Sequence, residues 1–417
     1  MTQWRHWRYL GALAWLILIT LFIAALYTDI TPKKVLLEDK TIEIKNSVIA
    51  GYRYGKVSWK VYCDYIWAGK NKTLFYAKKV NSGLVNDASG ERVMDSIHSE
   101  DIRINTQYPS FDARAHVSAR FYQRGSQRSM IQVFADRFLY FQETSFGLLE
   151  GHVSLKRGPY TLFSHDKVTL DSERNTATFE KGFHLISPHY DVTGDRMVID
   201  IDTRISELNG KIHISRKGDT IPLNSSLDIR EKTLRQLPSS ITCDFIRETD
   251  IEGNHSLELH GHILAWQTDK RIAGDDGFYS EKEGLFQIER HVQFHAKTLG
   301  WVLDPIRKKN LKNKDILKAL GEPVSFTCET CMFDSKKRSL LLSGKVVIIQ
   351  PDLVVTCERF YYDDTLEMVS LTGHVSLQKG IRNRFECEAL YLDLKKESFT
   401  SKEGIRSLFY LKKNTHE

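Results

Sequence analysis

A repeat of about thirty residues constrains this chain more than any other feature. Three segments align on an acid: Phe134-Ala-Asp-Arg-Phe-Leu-Tyr, Ser164-His-Asp-Lys-Val-Thr-Leu and Thr193-Gly-Asp-Arg-Met-Val-Ile. The pattern returns at Glu329, Glu358 and Glu388, with weaker copies from Asp64, Asp244 and Asp276. Roughly fifteen residues after each acid stands a second signature, such as Gly151-His-Val-Ser-Leu, Gly210-Lys-Ile-His-Ile or Gly373-His-Val-Ser-Leu. Fixed self-similarity of this kind marks an architecture of stacked units.

Within a unit the apolar period is two. Two and four residues beyond the acid stand Phe138 and Tyr140, Val168 and Leu170, Met197 and Ile199, and Phe360 and Tyr362. Beyond the Gly-type anchor stand Val153 and Leu155, Phe183 and Leu185, Ile212 and Ile214, Val346 and Ile348, and Val375 and Leu377. Alternation of this sort means strands with one buried face. Asp171, Asp200, Asp334, Asp363 and Asp393 close the acid-led strands and lead into turn-like residues. Each unit reads as strand, turn, strand, turn, the acid-led strands on one face and the Gly-led strands on another. Stacked, they make a mostly β, elongated, open structure with two walls and an apolar inner face. A parallel β-helix competes, but its rungs are usually shorter. Only 9 prolines in 417 residues suit long strands, because Pro cannot donate to a ladder.

The units fall into two blocks, 41–218 and 239–412, joined by a linker at 219–238 with Pro222 and Pro238. One short helix is expected at 304–320, with Asp304 as cap, Pro305 in the first turn, and Gly321 and Pro323 closing it. Its lysines and Arg307 read as a solvated face or as a contact for anionic groups. Residues 1–8 carry Arg5 and Arg8, and the uncharged run 9–27 follows. At about 1.5 Å per residue that run spans about 28 Å, close to a ~30 Å hydrocarbon core. It is too long for a signal-peptide core, and Ala24-Ala25-Leu26-Tyr27 is a poor cleavage site. The expectation is a single-pass anchor with the N-terminus in the cytoplasm and the bulk of the chain outside it.

Catalysis finds no support. There is no Walker loop, nucleophile elbow or His-Glu-x-x-His, and one acid per repeat is a structural signature. No cofactor, metal or enzyme activity is expected. Cys63, Cys243, Cys328, Cys357 and Cys387 each precede the repeat acid, and Cys331 takes a slot used elsewhere by Phe, Val or Met. Those slots call for small apolar side chains, the role free Cys fills; a Cys357–Cys387 disulfide stays open. His152, His262 and His374 recur after the Gly anchor as outward residues. A balance of 59 basic against 53 acidic residues excludes a nucleic-acid surface by charge alone.

The N-terminal run, the Ala/Cys-Asp/Glu strands and the Gly-x-Val-x-Leu returns together resemble the LptA/LptC/OstA family. The resemblance is clearest over Phe134–Ile214 and Thr327–Leu377, and Gly55-Lys-Val-Ser-Trp-Lys-Val-Tyr-Cys-Asp64 is similar to the early strands of LptC. The chain is about twice as long as an ordinary LptC, as if an LptA-like block were fused on. The resemblance implies a β-jellyroll that carries lipopolysaccharide across the periplasm for outer-membrane biogenesis. Its implied partners are lipopolysaccharide, an inner-membrane export ABC transporter, an LptA-like bridge or outer-membrane assembly protein, and the inner membrane itself. Each buried CH₂ is worth about 0.8 kcal/mol, so one acyl chain costs roughly 10 kcal/mol to expose. The paired apolar residues given above are the expected lipid groove, and the same residues serve equally as a packed core. The alternative function is a periplasmic or surface scaffold that binds polysaccharide or protein.

Overall fold

A computed structural model describes residues 42–408 except 54, 70–71, 87–89, 124–125, 172, 201–202, 219–235, 252–253, 299–317, 319–320, 381–382, 397 and 403. The expected anchor at 9–27, most of the linker and nearly all of the helix at 304–320 lie outside the described residues. Among the described residues no helix is long and apolar enough to cross a membrane.

The described residues form one antiparallel sheet of 26 strands, in which the long strands pair with their sequence neighbours. It begins with six long strands: β1 (Ile42–Arg53), β2 (Lys56–Ala68), β3 (Leu74–Asn86), β4 (Arg92–Asn105), β5 (Ser110–Gln123) and β6 (Ser126–Phe141). Eight short strands follow: β7 (Phe146–Glu150), β8 (Val153–Arg157), β9 (Tyr160–Ser164), β10 (Val168–Asp171), β11 (Thr176–Phe179), β12 (Phe183–Ile186), β13 (Tyr190–Gly194) and β14 (Arg196–Asp200). Long strands then resume: β15 (Ile205–Arg216), β16 (Ser239–Ile251), β17 (Asn254–Gln267), β18 (Lys270–Ser280) and β19 (Leu285–Ala296). After these come β20 (Val324–Asp334), β21 (Ser339–Gln350), β22 (Leu353–Asp363), β23 (Met368–Lys379), β24 (Asn383–Asp393), β25 (Ser398–Lys402) and β26 (Arg406–Leu408).

The pairing shows how one sheet makes two walls. β6 pairs β7 through its second half and β8 through its first. From there two half-width ladders run separately, β7–β10–β11–β14 and β8–β9–β12–β13. β15 joins them again, pairing β14 and then β13. From β15 to β24 each pair shifts register in mid-strand, as between Thr372 and Val375. In the long strands the repeat acid and the repeat Gly therefore mark the middle of a strand, where it turns a corner, whereas β8, β10, β12 and β14 start one or two residues after them. A thirty-residue unit crosses the corner twice and holds four half-strands, where the sequence pattern alone reads as two strands. The assignment of acid-led and Gly-led segments to different walls agrees with the pairing. β15 and β16 also pair across the join, Ile212 facing Cys243, so both blocks share one sheet.

The turns at the outer ends follow from the acids that close the strands. Asp171, Asp334, Asp363 and Asp393 each accept hydrogen bonds from backbone N–H groups two and three residues on, at 2.8–3.1 Å. Asp200 accepts one from Thr203 at 3.0 Å. These are Asx turns, which reverse the chain without a ladder partner.

Candidate functional site

The corner is built by a steric rule. Gly210, Gly344 and Gly373 have φ of +72°, +78° and +79°, a region that costs other residues energy. A Cβ on Gly344 or Gly373 would stand 2.7 Å from the Cβ of Glu329 or Glu358, so the acid of the preceding strand packs onto the bare backbone. The backbone closes the same corner: the Asp136 amide donates to the Gly151 carbonyl at 2.8 Å. The next residue is also left-handed, with φ of 44° at His152, 39° at Lys211 and 49° at His374. Consecutive positive-φ residues make the sharp bulge that turns the strand from one wall to the other.

Those left-handed residues are basic, and they alternate with the repeat acids along the outside of the corner. His152 pairs with Asp136 at 2.7 Å, His262 with Asp244 at 2.7 Å, His291 with Asp275 at 2.7 Å and His374 with Glu388 at 3.2 Å. Lys181 pairs with Asp166 at 3.4 Å. The hydrogen bond and charge of Asp244 raise the His262 pKa, and Asp275 does the same for His291. The histidines are exposed, as expected, and their partners are carboxylates. Among the described residues no group of three or more His, Cys, Asp or Glu side chains could hold a metal ion. The sequence reading missed this charge spine, although its signal is present: a His or Lys follows Gly151, Gly210, Gly261, Gly344 and Gly373.

All six cysteines are free and buried. Cys243 faces Ile212, Cys357 faces Val346 and Cys387 faces Val375, in the inner row beside the corner. Burial pushes the Cys243 and Cys328 thiols up to about 12, so they act as small apolar side chains.

Inside the corner, the eighteen expected groove residues all face the interior, at two depths. Phe138, Val153, Val168, Phe183, Met197, Ile212, Val346 and Val375, nearest the corner, are at most 4% exposed. Leu155, Leu170, Leu185, Ile199, Ile214, Ile348 and Leu377, two residues further out, are half-buried against that core. Tyr140 and Tyr362 are buried at the outer depth, and Phe360 is half-buried at the inner one. The walls therefore touch beside the corner and part away from it. A Cβ on Gly277 would stand 3.2 Å from the Ile263 methyl of the facing wall. The rings of Phe121 and Phe138 meet edge-on at 5.5 Å from opposite walls.

Where the walls part, a cavity of about 900 Å³ opens along the first block. Leu170, Met197 and Ile199 line one side, and Leu155, Leu185 and Tyr190 line the other. Charged groups ring its mouth, among them Arg92, Arg157, Asp171 and Arg204. Five of the eighteen expected residues line this cavity: Leu155, Leu170, Leu185, Met197 and Ile199. Its remaining apolar lining includes Phe121, Ile131, Val133 and Leu162, which belong to the same inner face but were not singled out from the repeat.

An apolar cleft with a charged mouth can take the chains of an amphiphile and leave its polar part in water. No protein-family model matches this chain, and no curated protein matches it, so the sheet, its corner and the cleft are what describe it.

Proposed function

We propose that this protein binds the acyl chains of lipopolysaccharide between its two walls and relays them across the periplasm, from the inner to the outer membrane. The observation that carries this reading is the cleft of about 900 Å³, apolar on both walls and charged at its mouth. A lipid with several chains needs continuous apolar cover in an aqueous space, and a corner-folded sheet supplies it along its length. In this reading the fold is an open β-jellyroll, and the run 9–27 anchors the chain in the inner membrane with its N-terminus in the cytoplasm. The chain itself transports without catalysis. An ABC transporter supplies the energy, and an LptA-like bridge or an outer-membrane assembly protein receives the lipid.

Site-specific photocrosslinking in cells tests the proposal. A photoreactive residue at Leu185 or Ile199 should capture lipopolysaccharide. One at Lys211 or His374, exposed on the corner, should capture little. Equal capture from both faces would point to the scaffold reading, in which polysaccharide or protein binds the outer surface. Replacing Ile212, 1% exposed, by Asp buries a carboxylate and should cost several kcal/mol in a denaturant titration, whereas Lys211→Asp should cost little.

A further inference from the structure

Away from the corner, the second inner row of one wall can be followed strand by strand. It runs from Ala68 through Tyr140, Leu170 and Ile199 to Ser206, then on through Leu257 and Leu340 to Phe399. Between Ser206 and Leu257 stands Glu248, the one charged residue in that row. It is half-buried, and it lines the cavity at the end where the first block meets the second. Tyr190 faces it from the other wall and lines the same cavity. Asp250 follows on its own strand, with His255 of β17 3.9 Å away. Asp200 and Arg204, on β14 and the turn to β15, line the same cavity. Arg247 points outward to Glu207 at 3.8 Å.

A chain lying along this row must cover the Glu248 carboxyl and strip its remaining water. A carboxylate resists that strongly, and a neutral carboxyl far less. We infer that Glu248 links occupancy of the groove to protonation: an acyl chain reaches the end of the cavity where the first block meets the second only over a neutral Glu248, and seating it there takes up one proton. The inference rests on the groove reading and adds its regulation. Burial, before any neighbouring charge, already raises the Glu248 pKa. Tyr190, pushed up to about 12 chiefly by burial and then by Glu248, stays neutral and contributes no titration between pH 5 and 8.

A neutral long-chain alcohol carrying a diazirine tests this on the full-length protein, with labelled residues mapped by mass spectrometry. Labelling at Tyr190 and Ser206, which line the cavity beside Glu248, should be about tenfold or more higher at pH 5 than at pH 8 in the wild type, as one linked proton allows. Labelling at Leu170 and Leu185 should differ by less than about twofold over the same range. Glu248→Gln should remove the pH dependence at Tyr190 and Ser206, and His255→Gln should keep it. Melting curves at both pH values show whether each variant is folded. Dependence that survives in a folded Glu248→Gln, or is lost only in His255→Gln, overturns the inference. Labelling near Glu248 that is strong and flat with pH in the wild type overturns it while leaving the groove reading intact. No labelling at either site removes the groove reading, and this inference with it.

Discussion

The middle of the first block and the second block are built from the same repeat, yet their interiors differ. Along the row that holds Glu248, the first block places Gly147, Leu170, Ala177, Ile199 and Ser206. The second block places Tyr279, Phe286, Phe333, Leu340 and Tyr362 in the equivalent slots. Small side chains leave the space that becomes the cavity; bulkier ones stand at the same level in the second block, where Tyr362 is buried, Tyr279, Phe286 and Leu340 are half-buried and Phe333 is 46% exposed. Tyr362 is buried and donates to Asp364 at 2.8 Å, which ties its ring in place. Backbone connectivity differs too: β7 to β14 break at the corner, while β16 to β24 run through it with a bulge. One repeat thus makes a wider or a narrower cleft according to the volume placed at one position.

The largest test of this contrast compares two residues in equivalent slots. Tyr362→Ala should destabilise by about 3–5 kcal/mol, because it empties a buried site and removes one donor from Asp364, which keeps its ion pair with Arg338. Leu170→Ala, beside the existing cavity, should cost about 1 kcal/mol, since water already reaches it. Equal losses in denaturant titrations would mean that the two interiors are packed alike.

A smaller effect is expected at the corners. Gly344→Ala meets the Glu329 side chain and should cost about 2–3 kcal/mol. At Gly182 an added Cβ meets nothing within 4 Å, so only the positive φ opposes it, at about 1 kcal/mol. Thermal melts of the two variants should separate by several degrees.

Ala177→Phe should shift stability by less than about 1 kcal/mol if its ring enters the cavity in place of water. It should still abolish lipid capture at Ile199, its strand neighbour. Undiminished capture would place the lipid elsewhere.

The smallest effect concerns the corner histidines. Their raised pKa values contribute stability that is fully present below the unfolded-state pKa and lost as pH rises through the folded-state pKa. Both are fully exposed, so His262→Ala together with His291→Ala should leave the melting temperature at pH 8 unchanged and lower it slightly at pH 5. A large loss at pH 8 would show that the spine holds the corner together and does more than decorate it.

Much of this was legible in the repeat. Period-two alternation put every expected groove residue on the inner face, because a strand leaves only two directions for a side chain. The slot before the acid announced buried cysteines, and the closing Asp residues announced their turns. Other features were hidden for definite reasons. Alternation reports the face but not the distance to the facing wall, so floor and cleft read alike in Val153 and Leu155. The acid and the Gly look like strand starts, as they are from β8 to β14, until the pairing shows them at mid-strand in the long strands, since a bulge preserves the alternation on either side.

Local chemistry therefore decided the strands, the corner and the apolar inner face: glycine's freedom at positive φ, the Asx turns and the alternation of side chains all act within a few residues. Where the walls separate was decided only when the sheet folded on itself. Gly147, Ala177 and Ser206 lie on different strands and become one row through long-range pairing. The space above them, and the isolation of Glu248 at its end, are properties of two walls facing each other, which no single repeat contains.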